Sequence, residues 1–248
     1  MPRRYDSWFW MGFCQVPLWD RAVIAALGPG IRSDAILDVG CATGRLLAKL
    51  ADAGATRLCG VDLAPNILGV AAEKLAPRLV APELRAADAE DSIPWPEHSF
   101  DVVTLTGVLH HFYRPDDALR EIHRVLRPGG RLLVMDPELF PPLRQVLNLV
   151  LLLAPHAGDY HFYSRRAAAK LLERAGFRCL EARRVGLWAY LLTAVRPDAP
   201  TGPARQGAAP GRPSWRQVSR VVGDRSRKGA AGRRRRPGAD GSGFSPVA

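Results

Sequence analysis

The sequence predicts a doubly wound α/β fold, a largely parallel sheet with helices on both faces. Three observations carry this. Strand and helix signals alternate from residue 35 onward. The strands are near-continuous apolar runs, as strands covered on both faces require. The first of them runs into a glycine turn that opens a helix.

Ala35–Val39 is a short apolar strand, followed by the turn and a helix over Arg45–Ala53. Leu58–Val61 is the second strand, with a helix from Pro65 to Leu75. Leu84–Ala87 reads as a third strand and Phe100–Leu105 as a clearly apolar fourth. The helix Asp116–Leu126 is expected to stop at Pro128-Gly129-Gly130, ahead of a fifth strand over Arg131–Met135. Ser164 is a good N-cap for a helix over Arg165–Ala175, and Gly176 suits its C-terminal cap. Arg178–Val185 and Trp188–Val195 read as two closing strands.

Composition sets the domain limits. The 248 residues carry a net charge of +11. Residues 197–248 hold 11 Lys or Arg against three Asp, with seven Pro and nine Gly in 52 positions. A segment so poor in large apolar side chains cannot offset its ordering entropy, so 197–248 is expected to be a disordered basic tail. The run Arg233–Arg236 fits a nucleic-acid or anionic-membrane contact, but a solvated tail without specific role is the favoured reading. Residues 1–34 are expected to form a helical lid, its aromatic cluster Trp8, Phe9, Trp10 and Phe13 packing over the main domain, 35–196. No export signal is legible there. Cys14, Cys41, Cys59 and Cys179 are widely spaced and form no CxxC pair, so no metal site is predicted and reduced thiols in a cytoplasm are expected. The longest apolar stretch, Val146–Ala154, has nine residues and includes Asn148, short of a spanning helix.

The chemistry concentrates at the first turn, Ile36-Leu37-Asp38-Val39-Gly40-Cys41-Ala42-Thr43-Gly44-Arg45-Leu46. Its spacing is G-x-x-x-G, not the G-x-G-x-x-G that brings a pyrophosphate to a helix N-terminus. Asp62 closes the second strand, where a carboxylate can accept both hydroxyls of a ribose. Asp88 follows the third strand and is placed to reach an adenine amino group. A strand, glycine turn, helix, strand, terminal acid and further acid, in that order, form a specific combination.

These residues carry a family resemblance. Ile36–Leu46 resembles the first motif of class I S-adenosylmethionine-dependent methyltransferases, and Gly60-Val61-Asp62-Leu63-Ala64 their acidic second-strand motif. Ala87-Asp88-Ala89-Glu90-Asp91, Phe100-Asp101-Val102-Val103, Leu109-His110-His111 and the run Leu119–Gly130 are similar to the subgroup of quinone-ring and other small-molecule methyltransferases. The resemblance implies a Rossmann-like seven-stranded sheet whose last strand is antiparallel, and S-adenosyl-L-methionine as cofactor. It places Asp38, Gly40, Cys41, Gly44 and Thr106 about the methionine part, Asp62 and Leu63 by the ribose, and Asp88 with Ala89 at the adenine.

Such a reaction needs an acceptor held in line with the methyl–sulfur bond, and a base only when the acceptor has a proton to lose. His111 and His110, after the fourth strand, are the candidate catalytic bases, with His111 slightly favoured; packing of the next helix is the competing role. Acceptor choice falls to the aromatic N-terminus and to the insert Glu138–Tyr163, with its apolar Leu147–Leu153 and the string His156, Tyr160, His161, Phe162 and Tyr163. Two readings of that insert stand: a pocket for a small hydrophobic or aromatic acceptor with contact to a membrane surface, or a core helix with an aromatic loop. A nicotinamide oxidoreductase would want a third glycine after Gly44. A nucleic-acid methyltransferase would use the basic tail, but Thr106-Gly107-Val108-Leu109 stands where base-amino methylation needs an Asn/Asp-Pro-Pro-aromatic motif. A non-catalytic S-adenosylmethionine-binding protein is the third alternative, opposed by the intact Gly40, Gly44, Asp62 and Asp88.

Overall fold

A computed structural model describes residues 16–78, 80, 82–153 and 160–198. The chain divides into two units, Met1–Pro200 and Thr201–Ala248, and every described residue belongs to the first. The expected aromatic cover at Trp8–Phe13, His156 and the basic tail beyond Asp198 lie outside the described residues.

Helix α1 (Val16–Leu27) and a 3-10 turn (Gly28–Arg32) precede β1 (Ala35–Val39), α2 (Arg45–Asp52), β2 (Arg57–Asp62), α3 (Pro65–Leu75), β3 (Glu83–Ala86) and β4 (Phe100–Thr106). A 3-10 turn (Leu109–His111), α4 (Pro115–Val125), β5 (Leu126–Pro137), α5 (Pro141–Leu153), α6 (Arg165–Arg174), β6 (Arg178–Val185) and β7 (Ala189–Val195) follow. The seven strands form one sheet in the order β3-β2-β1-β4-β5-β7-β6. The pairs β1–β2, β1–β4, β2–β3 and β4–β5 are parallel, whereas β7 runs antiparallel to both β5 and β6. This is the predicted fold.

Strand alternation explains why both faces are apolar. Leu37, Val39, Val103, Leu105, Leu132 and Val134 point into one core, closed by α4 and α6. Their neighbours Ile36, Val102, Leu133 and Met135 point into the other, closed by α1, α2 and α3. With eight residues, α2 is too short to persist alone; its buried Leu46, Leu47 and Leu50 hold it, each contributing about 1.5–3 kcal/mol.

The fifth strand departs from expectation. It begins at Leu126 rather than Arg131, because Pro128-Gly129-Gly130 forms an irregularity within a strand instead of a turn. Gly129 sits at φ 74°, and its N–H bonds the Arg196 carbonyl at 2.9 Å. The Arg196 N–H returns to the Gly130 carbonyl at 2.8 Å. Helix α4 ends at Val125, where the Arg196 guanidinium donates to the carbonyls of His123 and Leu126.

The insert also differs from one of its two readings. Helix α5 is longer than the apolar run Leu147–Leu153, and among its residues only Leu151 is buried. It is therefore not a core helix. Asn148 clasps the chain beyond it, donating to the Phe162 carbonyl at 3.0 Å and accepting from the Phe162 N–H at 2.9 Å.

Candidate active site

The glycine turn lies between the carboxyl ends of β1 and β2. Gly40 and Cys41 both donate backbone N–H bonds to the Val61 carbonyl, at 2.8 and 3.1 Å. Gly40 holds φ 69°, and a Cβ there would stand 2.5 Å from Val108 Cγ2. No other residue type fits. Gly44, also at φ 69°, is the N-cap of α2 and is packed against Leu75 and Ala71.

Between them Ala42 sits at φ 46°, a conformation that costs a side-chain-bearing residue about 1–2 kcal/mol. Its N–H donates to Asp62 Oδ2 at 2.8 Å, while Ala64 N–H donates to Asp62 Oδ1 at 3.0 Å. The acid at the end of β2 is thus fixed from both sides. A carboxylate has about four acceptor positions, so two remain for neighbouring hydroxyls. Leu63 beside it is 69% exposed and offers an apolar surface. Asp88 Oδ1 accepts the Glu90 N–H at 2.8 Å, closing the turn after β3, and Ala89 packs into the core beneath.

Asp38 is buried within β1 and accepts the Thr104 hydroxyl at 2.7 Å. Burial pushes its carboxyl up to about 7, against the pull of that hydroxyl and of the Arg45 guanidinium. Burial also pushes the Cys41 thiol well above its ordinary range, so it stays neutral and is no nucleophile. Thr106, at the carboxyl end of β4, has a buried hydroxyl oxygen without a hydrogen-bond partner among the described residues.

The two histidines differ in setting. His111 is exposed, whereas His110 is buried and its Nδ1 lies 2.9 Å from Asp136 Oδ1. Asp136 is fully buried at the carboxyl end of β5, and its other oxygen has no partner among the described residues. Phe162 stacks on His110 with ring centroids 5.0 Å apart, and the His111 ring is 4.0 Å away.

Two side chains here were missed in the sequence, Asp136 and Asp20. Asp20 of α1 is buried with no exposure and pairs with Arg45 and, at 3.7 Å, with Lys49. Burial raises its carboxyl pKa although both cations oppose the shift. No local pattern marks either acid, since each meets its partner only through the fold. Among the described residues no group of three or more His, Cys, Asp or Glu is arranged to hold a metal ion. A cavity of about 560 Å³ opens at the amino ends of the strands, beside Arg57, Glu83 and Arg127, on the edge opposite the glycine turn.

S-adenosylmethionine fits this arrangement. The crowding at Gly40 denies a Cβ, Asp62 keeps free acceptor positions, and the Thr106 oxygen has no hydrogen-bond partner among the described residues. The methyltransferase domain family matches residues 37–134. The ubiquinone/menaquinone biosynthesis C-methyltransferase UbiE of Azotobacter vinelandii is 36% identical over 127 residues, 48% of this chain and 48% of its own. The protein of the same description from Serratia proteamaculans is 31% identical over 202 residues, covering 77% of this chain and 71% of that one. A solved S-adenosylmethionine-dependent methyltransferase from Aquifex aeolicus has the same fold, with a TM-score of 0.58 at 21% identity over 71% of this chain and 89% of the other.

The chain belongs to the class I S-adenosylmethionine-dependent methyltransferases. Its sequence likeness within them is to the ubiquinone/menaquinone C-methyltransferases, although the match spans about half the length of relatives such as that from Azotobacter.

Proposed function

We infer that the protein transfers the methyl group of S-adenosylmethionine to a small hydrophobic or aromatic acceptor by in-line displacement. When bound, the cofactor supplies a sulfonium methyl electrophilic enough to need no further activation. Asp62 and Leu63 would lie at the ribose, Asp88 and Ala89 at the adenine, and Asp38, Gly40, Cys41, Gly44 and Thr106 at the methionine end. The main task left to the protein is orientation, which can lower a barrier by about 7–11 kcal/mol. The relatives' description as C-methyltransferases of ubiquinone and menaquinone biosynthesis supports a ring acceptor, and so does the Phe162 ring stacked on His110.

His110, rather than the His111 that the sequence slightly favours, is the base in this reading. Asp136 fixes which ring nitrogen carries the proton, leaving the other to take one from the acceptor. His111 lines the exposed side. The acceptor is a small molecule rather than a nucleic acid, and the setting is cytoplasmic; among the described residues no helix is long and apolar enough to cross a membrane.

The observation that carries the reading is the 2.8 Å bond from the Ala42 amide to Asp62, which sets the acid at the mouth of the glycine turn. Calorimetric titration is the test. S-adenosylmethionine should bind the wild-type chain while NAD does not, and Asp62→Ala should weaken binding roughly 10- to 100-fold, as loss of a charged hydrogen-bond acceptor does. Unchanged affinity in Asp62→Ala overturns the assignment. Incubation with labelled methyl donor and cell extract then identifies the acceptor.

A further inference from the structure

Helix α5 is amphipathic in the wrong direction for a core element. Val146, Leu149, Val150 and Leu153 fall at i, i+3, i+4 and i+7, the spacing that normally faces a core. Here that stripe faces solvent: Leu153 is 77% exposed and the other three are each more than half exposed. The surface continues onto the β6–β7 hairpin, where Leu187 is 70% exposed and Trp188 meets the half-exposed Phe140 ring at 6.0 Å. Soluble monomers rarely leave so continuous an apolar surface uncovered.

We propose that α5 and the hairpin tip form a docking face for an anionic phospholipid surface, from which a lipophilic acceptor enters the site. Charge selects lipid over another protein face. Helix α5 carries Arg144 and no acid. The acid nearest the helix, Glu138, is already engaged by Arg184 at 3.2 Å and Arg165 at 3.9 Å. Arg144, with Arg165 and Arg184 gathered at Glu138, puts cations beside the start of the apolar stripe, which matches anionic headgroups over acyl chains. The 13-residue helix is about 20 Å long, too short to span a bilayer core of about 30 Å, so it lies in the interface plane. Its inner face reaches the site directly, because Asn148 clasps Phe162 and Phe162 stacks on His110.

The proposal rests on the acceptor class inferred above, yet its test is separate. The full chain is sedimented with vesicles of phosphatidylcholine, with and without phosphatidylglycerol, and its cofactor affinity is followed by calorimetry. Binding is expected to the anionic vesicles, to weaken in high salt, and to fall at least ~10-fold in Val146→Glu/Val150→Glu while S-adenosylmethionine affinity stays unchanged. Val146→Ser/Leu149→Ser serves as the milder variant should the first fail to fold. Equal vesicle binding by wild type and both variants overturns the proposal. So does a wild-type dimer that the variants convert to monomer, which gives the face to a second copy. Loss of cofactor binding by the wild-type chain would instead sink the site assignment and leave the vesicle result standing.

Discussion

Two buried carboxylates at the site, Asp38 and Asp136, lead to separate predictions. Asp38 is raised to about 7 by burial, so the folded chain holds a proton there that the unfolded chain releases near its ordinary value of 3.8. Stability should therefore fall as pH rises from about 4 to about 7 and level off above, by at most about 4 kcal/mol. Asp38→Asn keeps an acceptor for the Thr104 hydroxyl and should flatten that profile; urea denaturation at several pH values, without cofactor, checks it. In the proposed mechanism Asp136 acts through His110, whose Nδ1 lies 2.9 Å from it. Asp136→Asn should lower kcat roughly 10²- to 10⁴-fold and shift the pH–rate profile with little change in KM, as loss of an oriented base does. His110→Ala should match it, and His111→Ala should retain most activity. Equal losses at both histidines would remove the distinction drawn between them.

Among the elements, α1 is tied to the start of α2 by the buried Asp20–Arg45 pair. Arg45→Met leaves Asp20 with Lys49 alone at 3.7 Å. Breaking a buried pair costs about 3–5 kcal/mol, and the partial exposure of Arg45 brings the expected loss to about 2–3. The loss should shrink at low pH, where Asp20 takes up a proton. Denaturation of the variant at pH 5 and pH 8 measures both effects. The helix over Arg165–Arg174 needed no such partner to be read: the Ser164 hydroxyl accepts the Ala167 N–H at 3.2 Å, as its position before the helix predicts. The start of β5 was not legible, because Pro-Gly-Gly signals a turn locally and is absorbed as a strand irregularity only when β4 and Arg196 pair with it. The outward stripe of α5 was equally hidden, since spacing tells that a helix has an apolar face but not which way it turns.

Across the whole molecule the strand order changes direction between β1 and β4, which opens a crevice at the carboxyl ends of the strands. Binding of S-adenosylmethionine should slow amide exchange at residues 40–44, 62–64, 87–91 and 106–111, all on that edge. The cavity at the amino edge, by Arg57 and Arg127, should show no change. Hydrogen-exchange mass spectrometry with and without the cofactor decides; protection confined to the amino edge would put the site on the wrong side of the sheet.

The sheet, its glycine turn and the class of cofactor were written in the order of the residues, because Gly40 to Asp62 lies within one β–α–β unit and each part has its own local chemistry. The pairs Asp20–Arg45 and His110–Asp136, 25 and 26 residues apart, needed the folded chain. Their partners sit on different elements, and strand register and helix packing, not nearness along the chain, bring their charges together. The direction in which α5 faces was settled the same way, by the Asn148 clasp that holds one side inward and leaves Val146, Leu149, Val150 and Leu153 in water.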